Sequence, residues 1–352
     1  MYAKGANAAS PGGSGYMEGR SRWSQLKTWL GTLTVELVML LDGLAFSTMV
    51  VLVENLQMDK VCHVNLNNTW EVCQNLSAHR EVREETTKQV SVFQMYNSII
   101  LSIIPLFFIL FMGAWSDKYG RKIPLVASTL GHLLYASGYL WCSQMDAWPV
   151  ESLLPVALLD TLGGGTVAFL TAANSYISDV TSEEDRTARL GFANSVWFLG
   201  GPIGTFVGSY IFRGLGYAGV FGTSAALYVV ALAYLLLRVP ESHGPFADAK
   251  KLGNVLPKKQ SIRLRESIYW VYGLEKKHKE LVEKESPRDR ARKISIVQMI
   301  KDFFNPRRFL DSIRCTLKQR EGHVRAYILL LIAANLLRKL GRGKDDTYKF
   351  EL

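Results

Sequence analysis

The sequence predicts an all-α membrane protein: a bundle of six membrane-spanning helices followed by part of a seventh. Three observations predict it. Residues 91–116, 123–145, 190–212 and 214–237 contain no Asp, Glu, Lys or Arg, and each is long enough to cross a bilayer, which takes about 20 apolar residues as helix. The formal net charge of +10 over 352 residues is segregated: residues 238–325 carry 22 Lys and Arg against 11 Asp and Glu, so this one segment holds the whole surplus. The short links between apolar stretches alternate between basic and non-basic, as helices crossing back and forth require when basic loops stay in the cytosol. The mean hydropathy of +0.08 hides this pattern because polar and apolar segments cancel. Four Cys in 352 residues exclude a secreted disulfide scaffold. The basic excess carries no aromatic-interleaved or zinc-finger pattern, so it is read as a cytosolic loop and no nucleic-acid partner is expected.

In chain order, residues 1–27 are a flexible cytosolic tail rich in Gly, Ala and Ser. Span 1 is residues 28–53, too long and too late for a signal peptide. Residues 54–90 form a polar loop on the outer face. That loop holds two glycosylation sequons, at Asn67 and Asn75, and two cysteines, Cys62 and Cys73. On the oxidising side these can form a disulfide or stay as two thiols. Spans 2 to 6 are residues 91–116, 123–142, 153–178, 190–212 and 215–237, which completes a six-helix half over 28–237. Residues 238–325 are the basic loop. Within it Ile294, Val297, Ile300, Phe303 and Phe304 recur at helical spacing, which fits an amphipathic helix on the inner leaflet or one packed on the protein's own loop. Residues 326–352 hold an apolar run of 12 residues, 326–337, short for a span, and then the chain end.

Three acids fall inside apolar stretches: Glu36, Asp42 and Asp160. A buried carboxylate costs several kcal/mol unless paired, so Asp42 and Asp160 are candidate substrate or proton sites. Glu36 lies nearer the cytosolic end, where snorkelling to the interface is an equal reading. In span 5, Gly200, Gly204 and Gly208 fall four apart on one face, a spacing that lets two helices approach closely.

The link between spans 2 and 3 reads Gly113-Ala114-Trp115-Ser116-Asp117-Lys118-Tyr119-Gly120-Arg121-Lys122. A short link must reverse direction at the membrane surface, so Gly120 supplies a permissive backbone. Asp117 is expected near the N-terminus of span 3, where the helix dipole favours an anion. Arg121 is expected to pair with Asp179 at the end of span 4, a charge pair that can latch one conformation and release in another. The run from Asp179 to Arg189 contains Thr181 or Ser182 as a helix cap, and Arg186. The pattern G-x-x-x-D-[RK]-x-G-R-[RK] resembles the signature of the major facilitator superfamily. Gly113, Asp117, Lys118, Gly120, Arg121 and Lys122, with Asp179 and Arg186, are therefore the expected gating residues.

Within that superfamily the chain resembles solute carrier family 46, the proton-coupled folate transporter family. The resemblance rests on the sequon–Cys73–sequon order, on GAWSDKYGRKIPL, on residues 176–182 followed by 186–189, and on Ser295-Ile296-Val297-Gln298. It implies twelve helices in two halves with substrate held between them, so this chain looks C-terminally truncated and would need the missing half for transport. The family's first-loop Cys pairs with one beyond helix 7, leaving Cys73 here to pair with Cys62 or stay free. The family's helix-5 Glu falls at Asn194, which cannot exchange a proton near neutral pH, and its helix-4 Arg and Asp fall at Ala157 and Gly165. The implied function is secondary transport of a small, anionic organic solute across the plasma or endolysosomal membrane, with protons as a candidate coupling ion.

Two alternatives stand beside that reading. One is proton-driven drug efflux, suggested by Gly201-Pro202. The other is a truncated membrane protein that does not transport. No cofactor or metal is expected, since His63, His79, His132, His243, His278 and His323 show no ligand spacing, and no nucleophile–base pair points to an enzyme. The expected partners are the lipid bilayer and the solute.

The orientation is testable. Glycosidase treatment should increase electrophoretic mobility, and the double change Asn67→Gln with Asn75→Gln should abolish that increase. A mobility change that survives both substitutions would invert the predicted topology.

Overall fold

The computed structural model describes residues 34–244 and 296–305, together with positions 326, 327, 330 and 334. The tail, most of the basic loop and nearly all of the final apolar run lie outside the described residues. Among the described residues every regular element is helical. They are α1 (Val35–Lys60), a π-turn (Val61–Asn65), α2 (Trp70–Gln74), α3 (Arg80–Tyr119), α4 (Lys122–Ser143), a 3-10 turn (Val150–Leu153), α5 (Leu154–Leu162), α6 (Gly165–Val180), α7 (Arg186–Arg238) and α8 (Ile296–Phe303).

Among the described residues four stretches are long and apolar enough to cross a bilayer: Val35–Asn65, Arg80–Gly113, Val150–Val180 and Arg186–Arg238. The last, 53 residues long, is two spans in one. Gly216 at φ 63° breaks its helical geometry and reverses the chain. The predicted link at Arg213 is therefore still helix, and the turn falls three residues later. α4, with 22 residues, reaches about 33 Å at the α-helical rise and completes six crossings.

Other boundaries differ from expectation in instructive ways. The predicted outer loop, 54–90, is largely helical. α1 runs on to Lys60 because Leu56, Val61 and Cys62 still find a buried face. The Cys62–Cys73 disulfide then ties this extension to α2. Both sequon asparagines, Asn67 and Asn75, are exposed. The predicted fourth span is interrupted: α5 and α6 meet at Gly164 and Gly165, whose φ values of 87° and 60° interrupt the helix just after Asp160.

The interior forms two apolar blocks. One, at the end bearing the charged motif, gathers Val35, Met39, Leu125, Phe169, Tyr176 and Leu235. The other, at the sequon end, gathers Leu52, Leu56, Tyr139, Leu153, Val220 and Phe221. Outward faces carry Leu106, Phe107, Phe198, Phe206 and Leu237, exposed as lipid-facing side chains would be.

α1 packs most extensively against α7. Gly200, Gly204 and Gly208 all face α1, and a Cβ at Gly204 would lie 2.8 Å from the Leu44 carbonyl oxygen. The two backbones are in direct contact, as small residues at this spacing permit. Gly204→Ile should therefore cost about 1–3 kcal/mol or more through overpacking. Gly201→Ala, where a Cβ meets nothing within 4 Å, should be neutral. Thermal unfolding in detergent would report both, and equal melting temperatures would contradict the packing.

Candidate functional site

On α1 and α4 a polar side chain separates the two blocks. On α1 the buried sequence passes from Met39 to Ala45 through Asp42, and on α4 from Leu125 to Ala136 through His132. Asp160, at the end of α5, falls at the same seam. These three side chains converge. His132 Nδ1 lies 2.7 Å from Asp42 Oδ1, and its Nε2 lies 3.7 Å from Asp160 Oδ1. Trp197 Nε1 donates to the second Asp42 oxygen at 2.9 Å. Asp42, His132 and Asp160 are 0%, 4% and 8% exposed. The Phe169 and Tyr228 rings close the site, their centroids 5.7 and 5.5 Å from the imidazole.

Local structure explains the convergence. Ser128, Gly131 and His132 share one face of α4. Ser128 Oγ donates to the Gly163 carbonyl at 2.8 Å, and a Cβ at Gly131 would sit 2.9 Å from the Asp160 carbonyl oxygen. α4 and α5 thus touch backbone to backbone, which sets the Asp160 carboxyl opposite the ring. The two sides of the imidazole differ. Nδ1 is bonded to Asp42, whereas Nε2 and Asp160 Oδ1 are both buried with no hydrogen-bond partner. With a neutral ring and two ionised acids the centre would bury two negative charges. Each added proton cancels one, and one at Nε2 meets Asp160 across the gap. In a water-poor interior that arrangement is chemistry for holding and passing protons.

A second network occupies the motif end. Arg121 Nε donates to Asp179 Oδ2 at 3.1 Å and Nη1 to Ser116 Oγ at 2.5 Å, while Nη2 pairs with Asp117. Asp117 itself is not where the sequence put it. α3 continues to Tyr119, so Asp117 lies in the last turn of α3 rather than at the start of α4. The first N–H of α4, Lys122 N, goes instead to Glu241 Oε1 at 2.9 Å. Burial pushes the Glu241 carboxyl up to about 7, against the opposing pull of these backbone donors. Gly120 has a second reason to be glycine besides its φ of 113°: a Cβ there would collide with the Glu241 side chain.

The other predicted residues are placed as follows. Lys118 pairs with Asp302 of α8 at 3.0 Å, and Lys122 Nζ donates to the Leu236 carbonyl at 3.0 Å. Gly113 faces open space. α8 packs on the end of α3: Trp115 Nε1 donates to the Met299 carbonyl, and Phe303 meets the Phe108, Phe111 and Trp115 rings. Glu36 does not snorkel. It is 2% exposed and bonded to Arg189 at 2.6 Å, so Arg189 takes the part in a buried pair that Arg186 does not. Asn194 donates to Asn174 Oδ1 at 2.9 Å, an amide pair one turn from Trp197 on α7. Among the described residues no group of three or more His, Cys, Asp or Glu could hold a metal ion.

The family profile of the Major Facilitator Superfamily matches residues 37–336. The chain belongs to that superfamily. It is a multi-pass membrane protein, and its superfamily relatives are transporters rather than enzymes. A proton-coupled folate transporter of Rattus norvegicus is 30% identical over 164 residues, 47% of this chain and 35% of the relative. Solute carrier family 46 member 2 of Canis lupus familiaris is 28% identical over 178 residues, 49% of this chain and 37% of the relative. A lysosomal proton-coupled steroid conjugate and bile acid symporter of Bos taurus is 31% identical over 184 residues, 50% of this chain and 38% of the relative. The matched segment therefore spans well under half the length of each of these relatives. The superfamily's signature link is the part of the site where Arg121, Asp117 and Asp179 meet.

The Glu36–Arg189 pair makes a stability prediction. Arg189→Ala strands a buried carboxylate and should cost about 3–5 kcal/mol, whereas Glu36→Gln with Arg189→Gln should recover most of it. Folded yield and melting temperature of the three chains in detergent decide the matter. A single variant as stable as the double one would show the pair to be dispensable.

Proposed function

We propose that this chain forms the first six-helix half of a proton-coupled secondary transporter of a small organic anion, working at the plasma or endolysosomal membrane with the charged motif facing the cytosol. The observation that carries the coupling is the Asp42–His132–Asp160 centre. It joins α1, α4 and α5, with Trp197 and Tyr228 supplied by both limbs of α7, so a proton arriving there changes the charge felt by most of the bundle. The names of the relatives support the class: folates, steroid conjugates and bile acids are carried by proton-coupled proteins of this branch. Asn194, standing where the family's coupling acid falls, cannot supply the proton, and the buried centre replaces it.

Each group has a role. Asp42, held by Trp197, fixes the imidazole. His132 Nε2 and Asp160 exchange the proton. Among the described residues, Tyr228 and Tyr135 on α4 are the other titratable side chains acting on the centre. The Arg121–Asp179 pair closes the cytosolic ends of α3, α4 and α6, and its release is the gating event.

The test is solute movement in cells expressing the protein natively, where whatever completes the pathway is present. Folate, a bile acid and a steroid sulfate serve as probes at about pH 5.5 and about pH 7.4, either side of the ordinary histidine range. His132→Gln and Asp42→Asn should reduce acid stimulation to background while surface expression persists. Asn194→Glu should add stimulation. Undiminished acid stimulation in both the His132 and Asp42 variants would overturn the assignment.

A further inference from the structure

The basic segment does not leave the bundle where span 6 ends. Residues 239–244, Val-Pro-Glu-Ser-His-Gly, are buried without exception, although they open the most strongly charged stretch of the chain. They turn back from Arg238 and wedge between the motif ends of α3, α4 and α6. Tyr176 of α6 donates its hydroxyl to the Pro240 carbonyl at 2.9 Å. Glu241 caps α4 through Lys122 N. Gly244 lies against the last residues of α3, where a Cβ would come within 2.8 Å of the Tyr119 carbonyl.

His243 makes the closest use of this position. Its Nε2 faces two carbonyl oxygens at the end of α3, Ser116 at 3.2 Å and Asp117 at 3.1 Å. Its Nδ1 lies 2.9 Å from Ser242 Oγ and 3.2 Å from Asp179 Oδ2. Carbonyls only accept hydrogen bonds, and so does a carboxylate. With one proton, on Nε2, the ring donates to the carbonyls and the Ser242 hydroxyl can donate to the bare Nδ1, but Asp179 then faces a lone pair instead of a donor. Only a ring with both nitrogens protonated gives the carbonyls and Asp179 a donor at once. Asp179 is the same carboxylate that receives Arg121, so His243 sits at the root of the gating pair.

We propose that residues 239–244 are a proton-operated bolt on the motif end of the bundle, seated while His243 is protonated and withdrawn when it loses that proton, and that His243 is a positioning residue for the Arg121–Asp179 pair. The charged side chains acting on the ring are Asp179 from α6, Arg121 beside the start of α4 and Glu241 from the segment itself. The helix ends packed around the segment also carry Asp117, Lys118 and Tyr119 on α3, Lys122 on α4, Tyr176 on α6 and Arg238 on α7.

Burial alone would lower the His243 value, but the hydrogen bond and charge of Asp179 outweigh burial and the opposing Arg121, and the net shift is upward. The Glu241 carboxyl, raised by burial to about 7, shifts in the same sense. Both groups hold their protons more tightly seated than free. The stabilisation from His243 is complete below its ordinary value of about 6.5 and is lost as pH rises through the raised one. That from Glu241 declines between its ordinary value of about 4.3 and about 7. The two add: the bolt is tightest in acid and loosens as the cytosolic face becomes more alkaline. A transporter that delivers protons to the cytosol would then be held shut when that compartment is already acid.

Labelling in the full chain tests this without any substrate, so its failure is distinct from a failure of the transport reading. Val239, 2% exposed, is replaced by Cys in a Cys142→Ser, Cys315→Ser background. Inside-out vesicles are treated with a membrane-impermeant maleimide at about pH 6 and about pH 8, which bracket the histidine range. Each rate is divided by the rate in denaturant at the same pH, which removes the reagent's own pH dependence. The normalised rate should rise about threefold or more from the lower pH to the higher, as the seated segment loses the proton it binds more tightly than the free one. With His243→Gln it should be fast at both. With Glu241→Gln, neutral at every pH, it should rise less. If Val239→Cys prevents folding, Pro240→Cys reports the same exposure. A normalised rate independent of pH, or an undiminished rise in the His243→Gln chain, overturns the proposal.

Discussion

A carboxylate cannot remain ionised inside an apolar bundle without donors around it, and the first helix carries two such groups. Glu36 and Asp42 are both essentially without solvent exposure. Their needs organise the helices that follow. Asp42 draws a ring nitrogen from α4 and an indole N–H from α7, and Glu36 draws a guanidinium from α7. α7 therefore meets α1 twice through charge, and just beyond those points the glycines at 200, 204 and 208 bring the backbones into contact. Polar pairing fixes the register that the apolar surfaces alone would leave free to slide.

The motif end obeys the same rule with different parts. Six helices that reverse at one membrane surface expose helix termini close together, and each terminus carries unpaired backbone groups. Here the chain after the sixth crossing returns to satisfy them: Glu241 takes the first amide of α4, and His243 takes the last carbonyls of α3. The signature residues Gly120 and Arg121 are also fitted to that segment. Gly120 leaves room for Glu241, and Arg121 shares Asp179 with His243.

The number of crossings was legible because permanently charged residues are absent from four long windows. Asp42 and Asp160 were legible because an acid in such a window stands out. His132 was not, since a search for fixed charges passes over histidine, and its pairing joins residues 90 positions apart. The segment 239–244 was hidden by its neighbours: it opens a stretch whose composition reads as solvated loop, and its burial arises from three helix ends meeting. Asp117 was misplaced by one turn because charge marks the membrane surface but not the last residue of a helix. The outer extension of α1 looked like loop for a similar reason. Its buried face is narrow, and polar residues outnumber apolar ones around it.

The seam between the two apolar blocks has a mechanical consequence. A bundle with one continuous core resists bending along its whole length, because any tilt opens voids among close-packed side chains. In this bundle three polar side chains, Asp42, His132 and Asp160, interrupt the core on α1, α4 and α5, while on α7 the buried apolar residues pass from Tyr228 to Ala231 without a break. α5 and α6 are separated at the same level by Gly164 and Gly165, so a break in the backbone lies beside the break in the core. The bundle is therefore least braced on the side of α5 and α6, and a bend there opens fewer packed contacts than a bend elsewhere.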